Sequence, residues 1–145
     1  MSCSDLSGAR RCACGNLRRT TRSITQFYDQ FLLKSGLRSP QFSLLLNISL
    51  NENISVGELG SILLMDQTTV TRNIEMLRKS GYVTIIKDPA DARRKTIAIT
   101  ESGADKLAEA MPLWEQAQSQ IEKGLGPERY RDFLRTLKDI TQFVQ

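Results

Sequence analysis

The sequence predicts a mostly α fold of the α+β kind: a winged helix-turn-helix held between longer terminal helices. Three observations carry this reading. Two segments with helix-start signals, Ser55-Val56-Gly57-Glu58 and Asp66-Gln67-Thr68-Thr69, lie close enough together for a helix-turn-helix. Two β-branched runs, Tyr82–Lys87 and Thr96–Thr100, flank a polar segment with a proline, the pattern of a hairpin with an extended tip. Apolar residues recur at helical spacing on both sides of this block.

Taken in order, Leu17, Ile24, Phe27, Tyr28 and Phe31 mark one face of a helix from about Cys14 to Leu33, which Gly36 ends. Ser39-Pro40 starts the next, with serine as cap and proline at a position that needs no N–H. Phe42, Leu45, Leu46 and Ser49 form its face, and it ends near Asn51. Ser55 and Glu58 fit a capping box, with Ile54 and Leu59 as a hydrophobic staple, for a helix over about Val56–Leu63. Asp66 caps a fourth helix whose Val70, Ile74 and Leu77 face inward, and Gly81 stops it. A long helix from Glu101 to Gly124, expected to kink at Pro112, precedes a last one bearing Tyr130, Phe133, Leu134, Leu137, Ile140 and Val144.

At 145 residues the chain has one-domain size, and its long helices suit a core shared with a second copy. Residues 66–95 carry 7 basic and 4 acidic side chains, whereas residues 96–145 carry 6 and 8. Positive charge therefore lies away from the C-terminal third, as it does when one part of a protein faces a polyanion and another faces protein. No apolar run approaches the roughly 18 residues of a membrane span. Nor does an apolar stretch follow Arg10 and Arg11 as in a secretory signal, so a cytoplasmic protein is expected. The chain has no histidine, which removes His-based acid/base chemistry and His-containing zinc sites; neither enzyme nor cofactor is expected.

Outward on the fourth helix stand Gln67, Thr68, Thr71, Arg72 and Glu75, beside a ribbon tip carrying Arg93, Arg94 and Lys95. The first turns of such a helix enter a major groove, and a ribbon arginine suits the narrow minor groove beside it. Asp91 is placed to hold the Arg93 guanidinium. Double-stranded DNA is the partner this arrangement fits.

The stretch from Ile54-Ser55-Val56-Gly57-Glu58 through Asp66–Arg72 and Leu77–Val83 to Asp88-Pro89-Ala90-Asp91-Ala92-Arg93-Arg94 and Thr100-Glu101-Ser102-Gly103 closely resembles the MarR family of regulators. Its most specific part is the wing signature D-P-x-D-x-R-R followed by a strand and T-E-x-G. The resemblance implies a triangular homodimer whose first and last helices interlock, with two winged helices on a palindromic operator. It implies a winged-helix region over about residues 39–100 and dimerisation helices over about 12–36 and 101–145 of a single domain. It also implies a repressor that lets go of DNA when a small ligand or an oxidant acts. Carried over by position, Gln67, Thr68, Thr69, Thr71 and Arg72 resemble recognition-helix contacts, Arg93 with Arg94 the minor-groove arginines, and Ser39 and Ser55 phosphate contacts.

Two triggers stay open. Cys12 and Cys14 sit at a helix start among arginines, where a thiol is expected to be thiolate-rich and quick to oxidise. In register with Tyr28, Cys14 resembles the reactive cysteine of the organic-hydroperoxide-sensing branch. This chain has Ser39 where that branch has a second tyrosine, and it lacks the distant resolving cysteine. Cys3, Cys12 and Cys14 could instead bind a soft metal, or be incidental. The other trigger is a small molecule in a cleft between dimerisation helices and winged helix, with Phe27, Tyr28, Phe31, Phe42 and Trp114 as candidate lining. A thiol peroxidase using Cys12 and Cys14, and a winged helix serving only protein interaction, are the competing functions.

Overall fold

Local capping signals and inward-facing apolar residues set most of the element boundaries in the computed structural model, which describes residues 8–145. Cys3 lies outside the described residues. After a single turn at Ala9–Arg11 come helix α1 (Ala13–Leu32), a turn at Leu33–Ser35 and helix α2 (Ser39–Leu50). Strand β1 (Ile54–Ser55), helix α3 (Val56–Leu63), helix α4 (Gln67–Lys79), and strands β2 (Val83–Lys87) and β3 (Lys95–Ile99) form the middle. Helices α5 (Glu101–Leu125) and α6 (Pro127–Val144) close the chain. None of the described helices is long and apolar enough to cross a membrane.

The sheet has the order β1-β3-β2, antiparallel throughout, with Ile54 opposite Ile97 and Val83 opposite Ile99. The two-residue β1 was not expected from sequence. It is too short to show a period and exists because β3 offers Ile54 a partner and a buried position. The hairpin strands are shifted from the expected ranges: Tyr82 and Thr100 lie outside them, while Lys95 lies inside.

The core gathers Leu32, Leu37, Leu44, Leu45 and Ile48 with Leu59, Val70, Ile74, Leu77 and Ile97. Helix α2 buries Phe42 and Leu45 as expected, and also Leu44 and Ile48, while Ser49 is exposed. An element apolar on several sides belongs inside a bundle, so no single stripe describes it. Helix α5 runs unbroken through Pro112, which is exposed; the missing N–H removes one bond of the ladder without ending the helix.

Ser39 corrects another expectation. It is the first residue of α2 rather than the cap, and Arg38 stands before it. The Ser39 amide and hydroxyl both donate to Asp29 Oδ1 of α1, each at 2.7 Å. Helix α2 therefore takes its capping carboxylate from a neighbouring helix. At the other end of the lobe, Thr100 caps α5 by accepting the Gly103 amide at 3.0 Å and donates its hydroxyl to the Gly81 carbonyl at 2.6 Å.

Helices α1 and α6 contrast with this core. Among its described side chains α1 fully buries only Leu32, and α6 buries none. Their apolar faces, with Ile24, Phe27, Phe133 and Leu137, stay part-exposed, and Leu134 is 47% exposed.

Candidate nucleic-acid interface

The α4 start is built by Asp66, whose carboxylate accepts the Thr69 amide at 2.9 Å and the Thr69 hydroxyl at 2.7 Å. These bonds, the hydroxyl first, hold the Asp66 carboxyl below its ordinary value. Thr69 is thereby half-buried and turned to the cap, unlike its exposed neighbours Gln67, Thr68, Thr71 and Arg72. Thr71, which is exposed, donates its hydroxyl to the Gln67 carbonyl at 2.7 Å, which spends the proton and leaves the oxygen free to accept. With Val70, Ile74 and Leu77 buried, the polar face must point away from the core.

The wing tip is ordered by short-range bonds. Asp88 accepts the Ala90 amide at 2.9 Å, and the Asp88 and Arg94 amides reach the carbonyls of Arg94 and Asp91. Asp91 Oδ1 accepts the Arg93 backbone amide at 3.0 Å. Here the sequence reading needs correction, since Asp91 is bonded to the Arg93 backbone and makes no ion pair with its guanidinium. A short side chain two residues upstream fits this turn-forming role. Arg93, Arg94 and Lys95 are exposed and, among the described residues, have no carboxylate within 4.0 Å.

Between α4 and the wing lies an open cleft of about 650 Å³ bordered by Ser55, Gln67, Thr71, Arg93, Arg94 and Lys95. Thr68 and Arg72 border an adjoining hollow on α4, together with Met76 and Lys79, which the sequence reading missed. Their spacing from Arg72, at i+4 and i+7, was the available signal. Ser39 does not join this surface: its donors are spent on α1. Ser55 does border it, though its amide and hydroxyl serve the α3 capping box with Glu58, at 2.8 and 3.2 Å.

The candidate sensors lie elsewhere. Cys12 caps α1, its sulfur accepting the Gly15 amide at 3.5 Å, and Cys14 lies in the first turn; both are exposed free thiols. Among the described residues no three His, Cys, Asp or Glu side chains gather as a metal site. The five aromatics do not share one cavity. Phe42 is buried and stacks on Trp114 at 6.0 Å, because both fill the core. Phe27 packs against Phe31 at 5.3 Å and borders an open cleft of about 580 Å³ among α1, α5 and α6. The Tyr28 hydroxyl donates to Gln118 of α5, whose amide donates to Tyr130 of α6 at 2.6 Å. Burial, with Tyr130 and Glu122 nearby, raises the Tyr28 pKa.

Comparison with known proteins bears on this surface. A model of the MarR family matches residues 35–94. The solved structure of the transcriptional regulator MosR of M. tuberculosis in complex with DNA is 37% identical, with a TM-score of 0.80 over 92% of this chain and 98% of that one. The transcriptional regulator SarZ of Staphylococcus haemolyticus is 31% identical over 90 residues, 62% of this chain and 61% of that protein. The organic hydroperoxide resistance transcriptional regulator of Bacillus subtilis is 30% identical over 91 residues, 63% of this chain and 62% of that protein. The chain thus spans about three fifths of the length of these last two relatives.

Proposed function

Because the chain belongs to the MarR family of transcriptional regulators, we propose that it is a homodimeric, sequence-specific repressor, released from a palindromic operator by thiol oxidation or a small ligand. The observation that carries this reading is the single cleft joining the polar face of α4 to three wing cations that, among the described residues, have no carboxylate within 4.0 Å. Gln67, Thr68, Thr71 and Arg72 present amide, hydroxyl, methyl and guanidinium groups to base edges in the major groove. Arg93 enters the adjacent minor groove, and Arg94 and Lys95 neutralise phosphates. Family membership sets aside the thiol-peroxidase reading of Cys12 and Cys14.

The part-exposed apolar faces of α1 and α6 support a second copy as their cover, with the acidic C-terminal third away from DNA. Two-fold symmetry then sets two half-sites about one helical turn, roughly 34–36 Å, apart. Work on an operator supports a cytoplasmic protein. For the trigger, the name of the B. subtilis relative and the exposure of both thiols favour an oxidant. The Cys14 thiolate attacks a peroxide oxygen, the O–O bond breaks with loss of hydroxide or alkoxide, and a sulfenic acid remains. Attack by Cys12 on that sulfur releases water and forms a disulfide, within or between subunits.

Selection of bound duplexes from a random pool, with reduced and with peroxide-treated protein, tests the proposal. A palindrome recovered only by reduced protein, and by Cys14→Ser under both conditions, is the expected result. Indifference to oxidation moves the trigger to a small ligand. Failure to bind any duplex at low salt overturns the DNA reading, and operator affinity unchanged in Arg93→Ala would mean that the wing is not in the groove.

A further inference from the structure

Two carboxylates, Glu58 and Glu75, border the same cleft as the wing cations. They differ in one respect. Glu75 is neutralised by Arg78 through two bonds of 2.7 and 2.8 Å, whereas Glu58 has no cation within 4.0 Å among the described residues. Glu58 lies at the start of α3, where it takes the Ser55 amide at 2.8 Å, and the helix start would otherwise offer that amide to an anion. The Ser55–Thr96 pairing brings this start beside the root of the wing, close enough for Arg94 to help hold the Glu58 carboxyl below its ordinary value after the two Ser55 bonds.

We propose that Glu58 limits the electrostatic part of DNA binding, as a fixed negative charge that opposes phosphate at the α3 start and draws on the charge of Arg94. Binding to random sequence is almost wholly electrostatic, so an opposing charge in the cleft acts on nearly all of it. In the operator complex the same charge acts on the phosphate contacts, while the base contacts of α4 are untouched by Glu58. A DNA-facing carboxylate therefore keeps the basic wing from sticking to arbitrary duplex.

This inference rests on the proposed DNA-binding function, and its test separates the two. Glu58→Gln keeps the capping box, because glutamine accepts the same amide, and removes only the charge. Binding to a random duplex should tighten roughly 3- to 10-fold, and the slope of log affinity against log salt should steepen by about 0.9, one more phosphate neutralised. The gain should shrink when Arg94→Ala is added, because the part that acts through Arg94 is then lost. The same charge change at Glu115, exposed on α5, should leave the slope unaltered. An unchanged slope in Glu58→Gln, an equal gain with Arg94→Ala present, or an equal gain from Glu115→Gln overturns the role of Glu58 while leaving DNA binding intact. Absence of duplex binding by the unsubstituted protein overturns both.

Discussion

Asp29 of α1 holds Ser39 of α2 by two bonds from one carboxylate oxygen, to the backbone amide and the hydroxyl, each at 2.7 Å. The terminal helix is thereby tied to the first helix of the winged lobe. The Asp29 side chain is only 14% exposed, so water replaces it poorly. Asp29→Ala leaves both donors without their acceptor and should destabilise the fold by about 1–3 kcal/mol. Ser39→Ala, which keeps the amide bond, should cost about half as much. Thermal or urea unfolding of the two variants checks the order.

Gly103 packs its α-carbon against the turn before β2. A side chain there would overlap the Tyr82 carbonyl oxygen and stand 2.9 Å from Ile99 Cγ1. Gly103→Ala should therefore lower stability by about 1–3 kcal/mol despite alanine's higher helix propensity, because a backbone atom has to move. The midpoint of urea unfolding reads it, and a neutral or stabilising result would mean that the approach is looser than described.

Asp91 acts on the wing through the Arg93 amide. Asp91→Asn keeps an acceptor and should bind operator within about 2-fold of the unsubstituted protein, while Asp91→Ala should weaken binding as the tip loses order. Equal, large losses in both variants would show that the charge matters rather than the bond.

Asp66 and Glu58 are both held below their ordinary values by hydrogen bonds in the folded protein: Asp66 by Thr69, and Glu58 chiefly by the Ser55 amide. A depressed folded-state pKa contributes stability above the unfolded value, lost as pH falls through the folded value. The helix-turn-helix should thus hold its stability from neutral pH to about pH 5 and weaken below the ordinary carboxylate range. Asp66→Asn, which still caps, should flatten part of that acid dependence in unfolding experiments across pH.

The elements that were legible in the sequence are those whose causes are local. Ser55 with Glu58, and Asp66 with Thr69, sit within one turn of each other, and the structure has both caps where the spacing puts them. Val70, Ile74 and Leu77 are likewise buried as their period requires. What escaped depends on distant chain: β1 on its pairing with β3, the second buried side of α2 on the helices around it, and the role of Ser39 on Asp29. At the interface, residue types identified the recognition face. Only the folded chain shows that Thr69 faces the cap, that Asp91 serves the backbone, and that Glu58 borders the cleft.

Helix α6 has no buried residue of its own, with Phe143 90% exposed at its end. Within the chain its tie to α5 is partial, through Tyr130 and Gln118, so a cover bound over it adds order that follows mass action. On the proposed dimer, in which a second copy is the cover, diluting the protein should separate the two lobes and loosen these helices in a single step. Operator occupancy should then fall more steeply than in proportion to the amount of chain, making abundance itself a control on the regulator.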